Sequence, residues 1–253
     1  MQYPIGEYSL KAFSRLELLA GVDEVGRGPL AGPVVASAVV FRKGFELEGL
    51  KDSKKLSPKR RAELCEKILD GAESVHWAFV SEKIIDEINI YQAARQAMEA
   101  AVNGLSVTPQ AILVDAMHLP SIAIEQTSLV KGDQREPCIM AASIVAKEVR
   151  DKFMRQLGEV HPEYGFEKHM GYGTVKHMSA LKGLGVLDCH RRSFKPVMKV
   201  LLDDRRALER ELLNKSKAEL IGFVGLVRQM GLNDCLRPNM NLINSRLQGK
   251  LCI

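Results

Sequence analysis

The chain is organised around one stretch near its N-terminus, residues 20–33, which reads AGVDEVGRGPLAGP. The apolar segment from Leu18 to Val22 predicts a short β-strand that ends in two adjacent acids, Asp23 and Glu24. Because side chains alternate across a strand, we expect these acids on opposite faces. One carboxylate can then face a site while its neighbour acts from the other side or through its backbone carbonyl. The turn that follows offers bare N–H groups and the Arg27 guanidinium, which indicates a site for metal ions and an anionic ligand.

The same stretch also matches the loose dinucleotide-binding fingerprint, with Gly26, Gly28 and Ala31 at its small positions. That fingerprint must open a helix, whereas a Gly-Pro pair interrupts the helix here and Val34 to Phe41 predicts a second strand. Two strands joined by a Gly-rich turn form a hairpin, and the neighbouring acids would repel a pyrophosphate. The nucleotide-cofactor interpretation is therefore rejected.

Length and composition limit the classes of protein to which the chain can belong. With 253 residues, of which 46% are hydrophobic, the chain can form one large domain or one domain with an appendage. It has no run of about eighteen apolar residues, and residues 1–11 lack the apolar core of a signal peptide. Five widely spaced cysteines without a C-x-x-C pair predict reduced thiols, no zinc site and a cytoplasmic protein.

The charge distribution is uneven. Of the formal net charge of +5, most lies in residues 196–253, which hold 10 basic and 6 acidic residues. A modest basic excess of this kind is compatible with a nucleic-acid partner but does not establish one.

Periodicity and capping signals predict an α/β fold in which helices cover a mixed sheet. Beyond the hairpin, the predicted strands are Val75 to Val80, Ala111 to Asp115 and Ser121 to Thr127. The predicted helices are Pro58 to Leu69, Glu82 to Ile88, Tyr91 to Val102, Pro137 to Leu157, Thr174 to Leu181, Pro196 to Lys217 and Leu220 to Met230. Residues 238–244 are interpreted as a loop.

Two further acids could join the first pair. Asp115 follows a buried-type strand, and Asp133 lies in a Lys-Gly-Asp turn. Each alone is explained as an ordinary turn residue, and Glu24 equally well by a surface ion pair. Acids at strand ends, however, meet at one edge of an α/β sheet and raise one another's pKa, which divalent cations relieve. Oxygen ligands without His or Cys suit Mg²⁺ or Mn²⁺, and two such ions about 4 Å apart can clamp a phosphodiester.

Seven short blocks along the chain carry a family resemblance: AGVDEVGRGPLAG (20–32), DSKKL (52–56), LVD (113–115), KGD (131–133), AASIVAK (141–147), GYGT (171–174) and HRRSF (190–194). Together they resemble the bacterial type 2 ribonucleases H (ribonuclease HII). The resemblance implies an RNase H-like catalytic domain over residues 1–196. Residues 197–253 are expected to form a C-terminal helical extension, part of which is a candidate for disorder.

The resemblance also implies an activity. It is endonucleolytic cleavage of the RNA strand of RNA–DNA hybrids and incision 5′ of single ribonucleotides embedded in duplex DNA, leaving 5′-phosphate and 3′-hydroxyl ends. The implied cofactors are two divalent ions, Mg²⁺ or Mn²⁺, and the implied catalytic metal ligands are Asp23, Glu24, Asp115 and Asp133. The expected partners are the hybrid and the ribonucleotide-containing duplex, with no membrane, and the enzyme is expected to be a monomer.

The family's 2′-hydroxyl-reading turn falls on Gly26-Arg27-Gly28, and its substrate-sensing tyrosine falls on Tyr172. Residue chemistry agrees, because the 2′-hydroxyl distinguishes RNA from DNA and a bare glycine backbone can approach a sugar edge. Arg27, Lys54 and Arg191 are candidate phosphate contacts, although each alone is also explained as a surface charge.

Two positions depart from the family pattern. Ala116 replaces a frequent glycine, and Met170 replaces a frequent lysine. Neither is an assigned ligand. His190, beside two arginines, is expected to shape the edge of the site without a catalytic role.

Several alternatives stay open at this point. The chain could be a non-catalytic duplex-binding module, or a type 1 or type 3 ribonuclease H. The basic cluster Lys59-Arg60-Arg61 could be a solvated helix face or a phosphate-binding edge. The basic extension could add duplex affinity, in which case truncation after Lys217 should raise KM and flatten the salt dependence.

Overall fold

The computed structural model describes residues 16–42, 47–50, 52–232, 236 and 240–247. Within these residues, five strands form one sheet in the order β3-β2-β1-β4-β5. β1 pairs antiparallel with β2, and β2 with β3, whereas β4 joins β1 in parallel and β5 joins β4 in parallel. The predicted mixed sheet is therefore confirmed. The strands are β1 Leu18–Val25, β2 Val34–Arg42, β3 Ser74–Val80, β4 Ala111–Asp115 and β5 Glu125–Leu129.

Helices cover both faces of the sheet and continue into a C-terminal group, which confirms the predicted helical appendage. The α-helices are α1 Pro58–Gly71, α2 Glu82–Ile88, α3 Ile90–Asn103, α4 Pro137–Val160, α5 Phe166–His169, α6 Val175–Leu184, α7 Lys195–Asp203, α8 Arg205–Asn214, α9 Lys217–Gln229 and α10 Met240–Leu247. Short 3₁₀ turns occupy Ser53–Lys55 and Gly132–Gln134. No helix in the described part of the chain combines the length and the apolar character needed to cross a membrane.

The alternation of side chains along β1 divides the core in two. Ala20 and Val22 pack with α3 on one face of the sheet. Leu19 packs on the opposite face, which α1 and α4 cover. At Gly21 the backbone of α4 lies so close that a Cβ there would come within 2.0 Å of the Cys138 carbonyl carbon. The long helix therefore crosses β1 directly beneath its acidic end.

The C-terminal helices α7 to α10 have an apolar cluster of their own. It includes Met198, Leu208, Leu212, Phe223 and Ile243. Ion pairs attach this group to the loop before α7: Arg192 contacts Glu211 on α8, and Glu211 also pairs with Lys215 at 2.8 Å.

Two strand boundaries differ from the prediction. β1 continues to Val25, because its pairing with β2 extends to Val25 opposite Val35. The acids Asp23 and Glu24 therefore lie inside the strand instead of after it. The predicted strand Ser121 to Thr127 is wrong in position: β5 is set by its register against β4, in which Ala111 pairs with Glu125.

The C-terminal part contains two further corrections. The predicted single helix from Pro196 to Lys217 is broken at Asp204, whose extended backbone (φ −88°, ψ 94°) separates α7 from α8 and whose carbonyl accepts the Leu208 N–H. The predicted loop at 238–244 is wrong where α10 begins at Met240. Burial of Ile243 in the C-terminal cluster accounts for that helix better than local propensity does.

Candidate active site

The sheet register brings the acids together. Val22 of β1 pairs with Val114 of β4, so Asp23 and Asp115 follow side by side at the carboxyl ends of neighbouring parallel strands. Both lie on the side of the sheet that α4 covers. Asp133 arrives from the 3₁₀ turn after β5, where the Gly132 N–H donates to Asp115 Oδ1 at 2.7 Å. Glu24 points to the opposite face, as the alternation predicts.

The site accumulates negative charge in a poorly hydrated place. The Asp23 side chain is buried, with 5% exposure. Burial, followed by the charges of Glu24 and Asp115, holds the pKa of Asp23 well above its usual range. Burial likewise raises the pKa of Glu24 to about 7, against the opposing effect of Arg27. The pKa of Asp115 is also raised, by burial and then by the charge of Asp133.

Two cations stand at the rim of this acidic cluster. Lys54 Nζ lies 3.3 Å from Asp133 Oδ2, and Arg27 Nη1 lies 3.5 Å from Glu24 Oε1. Partial burial would lower the pKa of Lys54, but the charge and hydrogen bond of Asp133, together with the charges of Asp52 and Asp23, outweigh it and the pKa is raised. Both cations remain accessible, since the side chain of Lys54 is 75% exposed and that of Arg27 is 48% exposed.

Two serines lie beneath Asp23, and neither was predicted from the sequence to belong to the site. Ser143 on α4 hydrogen-bonds to the Asp23 carboxylate, which favours its charged form. Ser143 Oγ lies 3.0 Å from Ser53 Oγ in the 3₁₀ turn of the DSKKL block. Both serines stand in the matched blocks, so their position was available from the sequence, but nothing there indicated the contact with Asp23.

The Gly26-Arg27-Gly28 turn lies beside the acids and against Tyr172. Gly26 has φ +98°, in the left-handed region that glycine adopts without strain. A Cβ on Gly28 would lie 3.5 Å from the Tyr172 ring, and the Leu30 N–H donates to the Gly171 carbonyl at 2.8 Å. Tyr172 is 44% exposed, so its ring borders the turn on the accessible side.

Arg191 does not occupy the position expected for a phosphate contact. Its side chain is fully buried and donates to the backbone carbonyls of Gly26, Arg27 and Gly32. The expectation that Arg191 meets a phosphate directly is corrected, because no part of it reaches the surface. Sequence alone cannot distinguish an arginine that faces solvent from one that fills a space beneath a loop.

The basic cluster at the start of α1 is also divided by the structure. Arg61 is buried and pairs with Glu148 at 2.5 Å and with Asp151 at 3.0 Å on α4. Arg60 pairs with Glu63 at 3.2 Å. Arg61 therefore serves helix packing, and Lys59 remains as an exposed charge.

Three histidines form a buried group under the Tyr172 loop. His177 Nδ1 lies 2.9 Å from the Tyr172 carbonyl, which requires a proton on that nitrogen. His177 Nε2 then accepts from His190 Nε2 at 3.1 Å, and the Leu187 N–H donates to His190 Nδ1 at 3.0 Å. His169 stacks on His177 with ring centroids 4.4 Å apart. This supports a shaping role for His190 and indicates no catalytic one.

The two departures from the family pattern share a backbone property. Ala116 has φ +48° and Met170 has φ +50°, both in the left-handed region. Glycine, which is frequent at the position of Ala116, adopts this backbone conformation without strain. Ala116 adopts it with some strain, because its Cβ crowds the backbone at positive φ.

The side chains of the four acids are not arranged as a complete metal coordination sphere. Among the described residues, no three His, Cys, Asp or Glu side chains surround one point as ready ligands. Lys54 Nζ contacts Asp133, and the Gly132 N–H donates to Asp115. A cavity of about 850 Å³ lies elsewhere, between α2 and the helices α8 and α9, and none of the four acids lines it.

Comparison with known proteins agrees with this arrangement. The family model for ribonuclease HII matches residues 20–197. The ribonuclease HII of Bacillus cereus (strain B4264) is 55% identical over 179 residues, which cover 71% of this chain and 69% of that protein. The ribonuclease H2 of Pyrococcus horikoshii OT3 superimposes with a TM-score of 0.66 at 27% identity, covering 76% of this chain and 99% of that one.

A second solved structure, the RNase HII of Archaeoglobus fulgidus in complex with PCNA, superimposes with a TM-score of 0.60 at 28% identity, covering 72% of this chain and 96% of that one. The residues 20–197 that the family model matches include the four acids, the Gly-Arg-Gly turn and the Tyr172 loop. The chain therefore belongs to the ribonuclease HII family and is a ribonuclease H, an enzyme that cleaves the RNA of RNA–DNA hybrids.

Proposed function

We propose that the enzyme also incises duplex DNA on the 5′ side of single embedded ribonucleotides, and that it uses two divalent ions, Mg²⁺ or Mn²⁺. The products are 5′-phosphate and 3′-hydroxyl ends. The observation that carries the proposal is the juxtaposition of the buried acids with the Gly26-Arg27-Gly28 turn. Ribose recognition and phosphate cleavage would then occur on adjoining groups.

The chemistry of the acids fits divalent ions. The donor set is made of oxygen atoms, which Mg²⁺ and Mn²⁺ prefer, and its members raise one another's pKa. Asp23 would bridge both ions, Asp115 and Asp133 would each complete one, and Glu24 would support one through its side chain or carbonyl. Bound ions would supply a nucleophilic water and stabilise the charge on the leaving 3′-oxygen.

The residues around the acids would bind and orient the duplex. Lys54 and Arg27 are exposed at the rim, where each can contact a phosphate. The Gly26-Arg27-Gly28 turn would read the 2′-hydroxyl, and Tyr172 would stack on the neighbouring nucleotide or hydrogen-bond to it. Arg191 would act only from beneath the turn. We retain the monomer as a prediction, and the cytoplasm as the proposed compartment, which the free thiols of Cys65, Cys138 and Cys189 fit.

The metal assignment is tested by Asp23→Asn. The variant should show a kcat at least about 100-fold lower with Mg²⁺ or Mn²⁺ while it still binds duplex, because it lacks a ligand shared by both ions but keeps the groups that bind phosphates. Asp70→Asn, which changes an exposed acid on α1, is the matched control and should behave as wild type. Mg²⁺-dependent cleavage at the wild-type rate by Asp23→Asn would refute the assignment.

The recognition of a lone ribonucleotide is tested by Tyr172→Ala. Its kcat/KM should fall further on a duplex with one embedded ribonucleotide than on a long hybrid, because the long hybrid offers many productive positions. Tyr91→Ala is the control, since Tyr91 is similarly exposed (47%) but lies on α3. Unchanged kinetics on the lone-ribonucleotide duplex would remove Tyr172 from the site.

A gel assay of the same duplex separates this proposal from its rivals. We expect incision with Mg²⁺ or Mn²⁺ and none with a chelator. A mobility shift without incision under both conditions would indicate a binding function at this substrate. Cleavage of long hybrids together with poor cleavage at the lone ribonucleotide would indicate type 3-like behaviour.

A further inference from the structure

Two arginines are completely buried, although removing a charged guanidinium from water costs free energy. Arg150 on α4 and Arg191 before α7 each have 0% exposure. Among the residues that the structure describes, neither forms a salt bridge within 4.0 Å. A guanidinium removed from water without an anionic partner must be satisfied by hydrogen bonds, and here the acceptors are backbone carbonyls.

Arg191 holds the Gly-Arg-Gly turn from below. Its Nη2 donates to the Gly26 carbonyl at 2.6 Å, its Nη1 to the Arg27 carbonyl at 3.0 Å and its Nε to the Gly32 carbonyl at 2.9 Å. Its own backbone N–H donates to the Leu30 carbonyl at 2.8 Å. One side chain therefore sets the direction of three peptide groups in the loop between β1 and β2.

Arg150 joins that loop to the segment that carries Tyr172. Its Nε donates to the Pro33 carbonyl at 3.0 Å and its Nη2 to the Ala31 carbonyl at 3.1 Å. Its Nη1 donates to the Met170 carbonyl at 3.0 Å. Its side chain also fills the space beneath Gly26, where a Cβ would lie 2.3 Å from Nε.

These contacts determine what the turn presents to the outside. In a trans peptide the carbonyl and the following N–H point in opposite directions. With the Gly26 and Arg27 carbonyls directed inward, the N–H groups of Arg27 and Gly28 are directed outward. Both residues are exposed, and neither N–H finds an acceptor among the described residues. The turn thus displays two unpaired donors beside Glu24 and the Tyr172 ring.

We propose that Arg150 and Arg191 are positioning residues for ribonucleotide recognition: they aim the Arg27 and Gly28 N–H groups at a 2′-hydroxyl and fix the spacing between the turn and Tyr172. The inference rests on the proposed role of the turn. Neither arginine touches the substrate. The planar fork of arginine is required, because a lysine ammonium reaches one point and would leave carbonyls unpaired.

The test uses Arg150→Lys and Arg191→Lys, with Arg61→Lys as the matched control. Arg61 is also buried, but it pairs with Glu148 and Asp151 away from the turn. Affinity is measured with Ca²⁺ in place of Mg²⁺ for two duplexes of the same sequence, one with a single ribonucleotide and one entirely of DNA. The expected result for both variants is a preference for the ribonucleotide duplex reduced about tenfold, the equivalent of about one hydrogen bond, with the affinity for DNA unchanged.

Amide hydrogen exchange supplies a readout that does not depend on substrate. Exchange of the peptide covering residues 26–33 should increase in Arg150→Lys and Arg191→Lys, while that of β1 and β4 stays as in wild type. Arg61→Lys should lower Tm but keep both the substrate preference and the exchange of the turn.

The outcomes separate this inference from the proposed function. A wild-type enzyme that shows no preference for the ribonucleotide duplex and does not incise it refutes the proposed function, and with it the recognition role of the arginines. A wild-type preference retained by both lysine variants overturns the inference alone. Equal weakening of binding to both duplexes also overturns it, because the arginines would then support only the fold.

Discussion

At the scale of single residues, the buried histidines connect stability to pH. Burial, with a smaller effect from His177, lowers the pKa of His190 to about 3, and burial also lowers that of His177. The charges of His161 and Arg192 act on His190 in the same direction. Both ring nitrogens of His190 are already engaged, so a second proton would break the bond to Leu187.

The pH dependence of unfolding follows from this shift. Between pH 6.5 and about 3, His190 is protonated in the unfolded chain but neutral in the folded chain. The free energy of unfolding therefore decreases as the pH falls through that window. His190→Gln should flatten the loss between pH 6.5 and 4, although the variant is less stable at pH 7 because a buried contact is replaced. Urea unfolding at a series of pH values measures the effect.

Exposed His118 offers the control for that series. His118→Gln should leave the pH profile as in wild type. An identical acid slope for His190→Gln and wild type would contradict the assignment of the slope to His190.

At the scale of elements, the crossing of β1 and α4 decides where the acids lie. Gly21 permits the backbone of α4 to approach β1, and the small residues Ala141, Ala142 and Ser143 continue the contact. Ser37 on β2 donates to the Ala142 carbonyl at 2.7 Å, which fixes the helix along the sheet. Ser143 reaches Asp23 only because of this close approach.

Gly21→Ala should therefore be strongly destabilising. The added Cβ would meet the Cys138 and Ile139 backbone within 2.3 Å, and backbone cannot move aside as a flexible side chain does. We expect the free energy of unfolding to fall by about 3 kcal/mol or more, measured by urea unfolding with a chelator present, or the variant to fail to fold.

Gly183→Ala is the control variant, because nothing lies within 4 Å of a Cβ there and α6 is helical. It should be neutral or stabilising by up to about 1 kcal/mol, and destabilisation of the two variants by the same amount would contradict this account.

At the scale of the whole molecule, the C-terminal helices have a separate apolar cluster that α9 completes. Truncation after Lys217 would remove α9 and expose that cluster. A weaker affinity for duplex could then result from loss of stability as well as from loss of phosphate contacts. Lys217 and Arg228 are exposed, and eleven residues, about three turns, place them on one face of α9. They allow the proposed duplex contact to be tested without loss of the fold.

The double variant Lys217→Gln, Arg228→Gln should weaken duplex binding and reduce the slope of log Kd against log salt by about 0.9 for each phosphate that is no longer neutralised. Lys67→Gln, Lys152→Gln removes two exposed charges elsewhere and should leave the slope unchanged. A slope equal to that of wild type in the first variant would leave the extension with a structural role only. The division of the chain at residues 196 and 197 stays a prediction.

Much of this architecture followed from local pattern. Apolar runs that end in Asp23 and Asp115, and the turn signal at Gly26, predicted the confirmed mixed sheet because strand and turn formation depend on neighbours in sequence. The β5 register, the break at Asp204 and the helix at Met240 did not follow, because each depends on a partner distant in sequence.

By itself, the sequence determined the family, the mixed sheet and the candidate set of acids, since these are carried by residue identity and spacing. Only the tertiary structure decided that Arg191 lies beneath the turn instead of at a phosphate, and that Arg150 joins the turn to the Tyr172 loop. The physical reason is that a carbonyl accepts from any suitable donor, so no sequence pattern marks which arginine reaches it. Folding places those two arginines under the glycine turn, and the outward direction of its N–H groups follows from that placement.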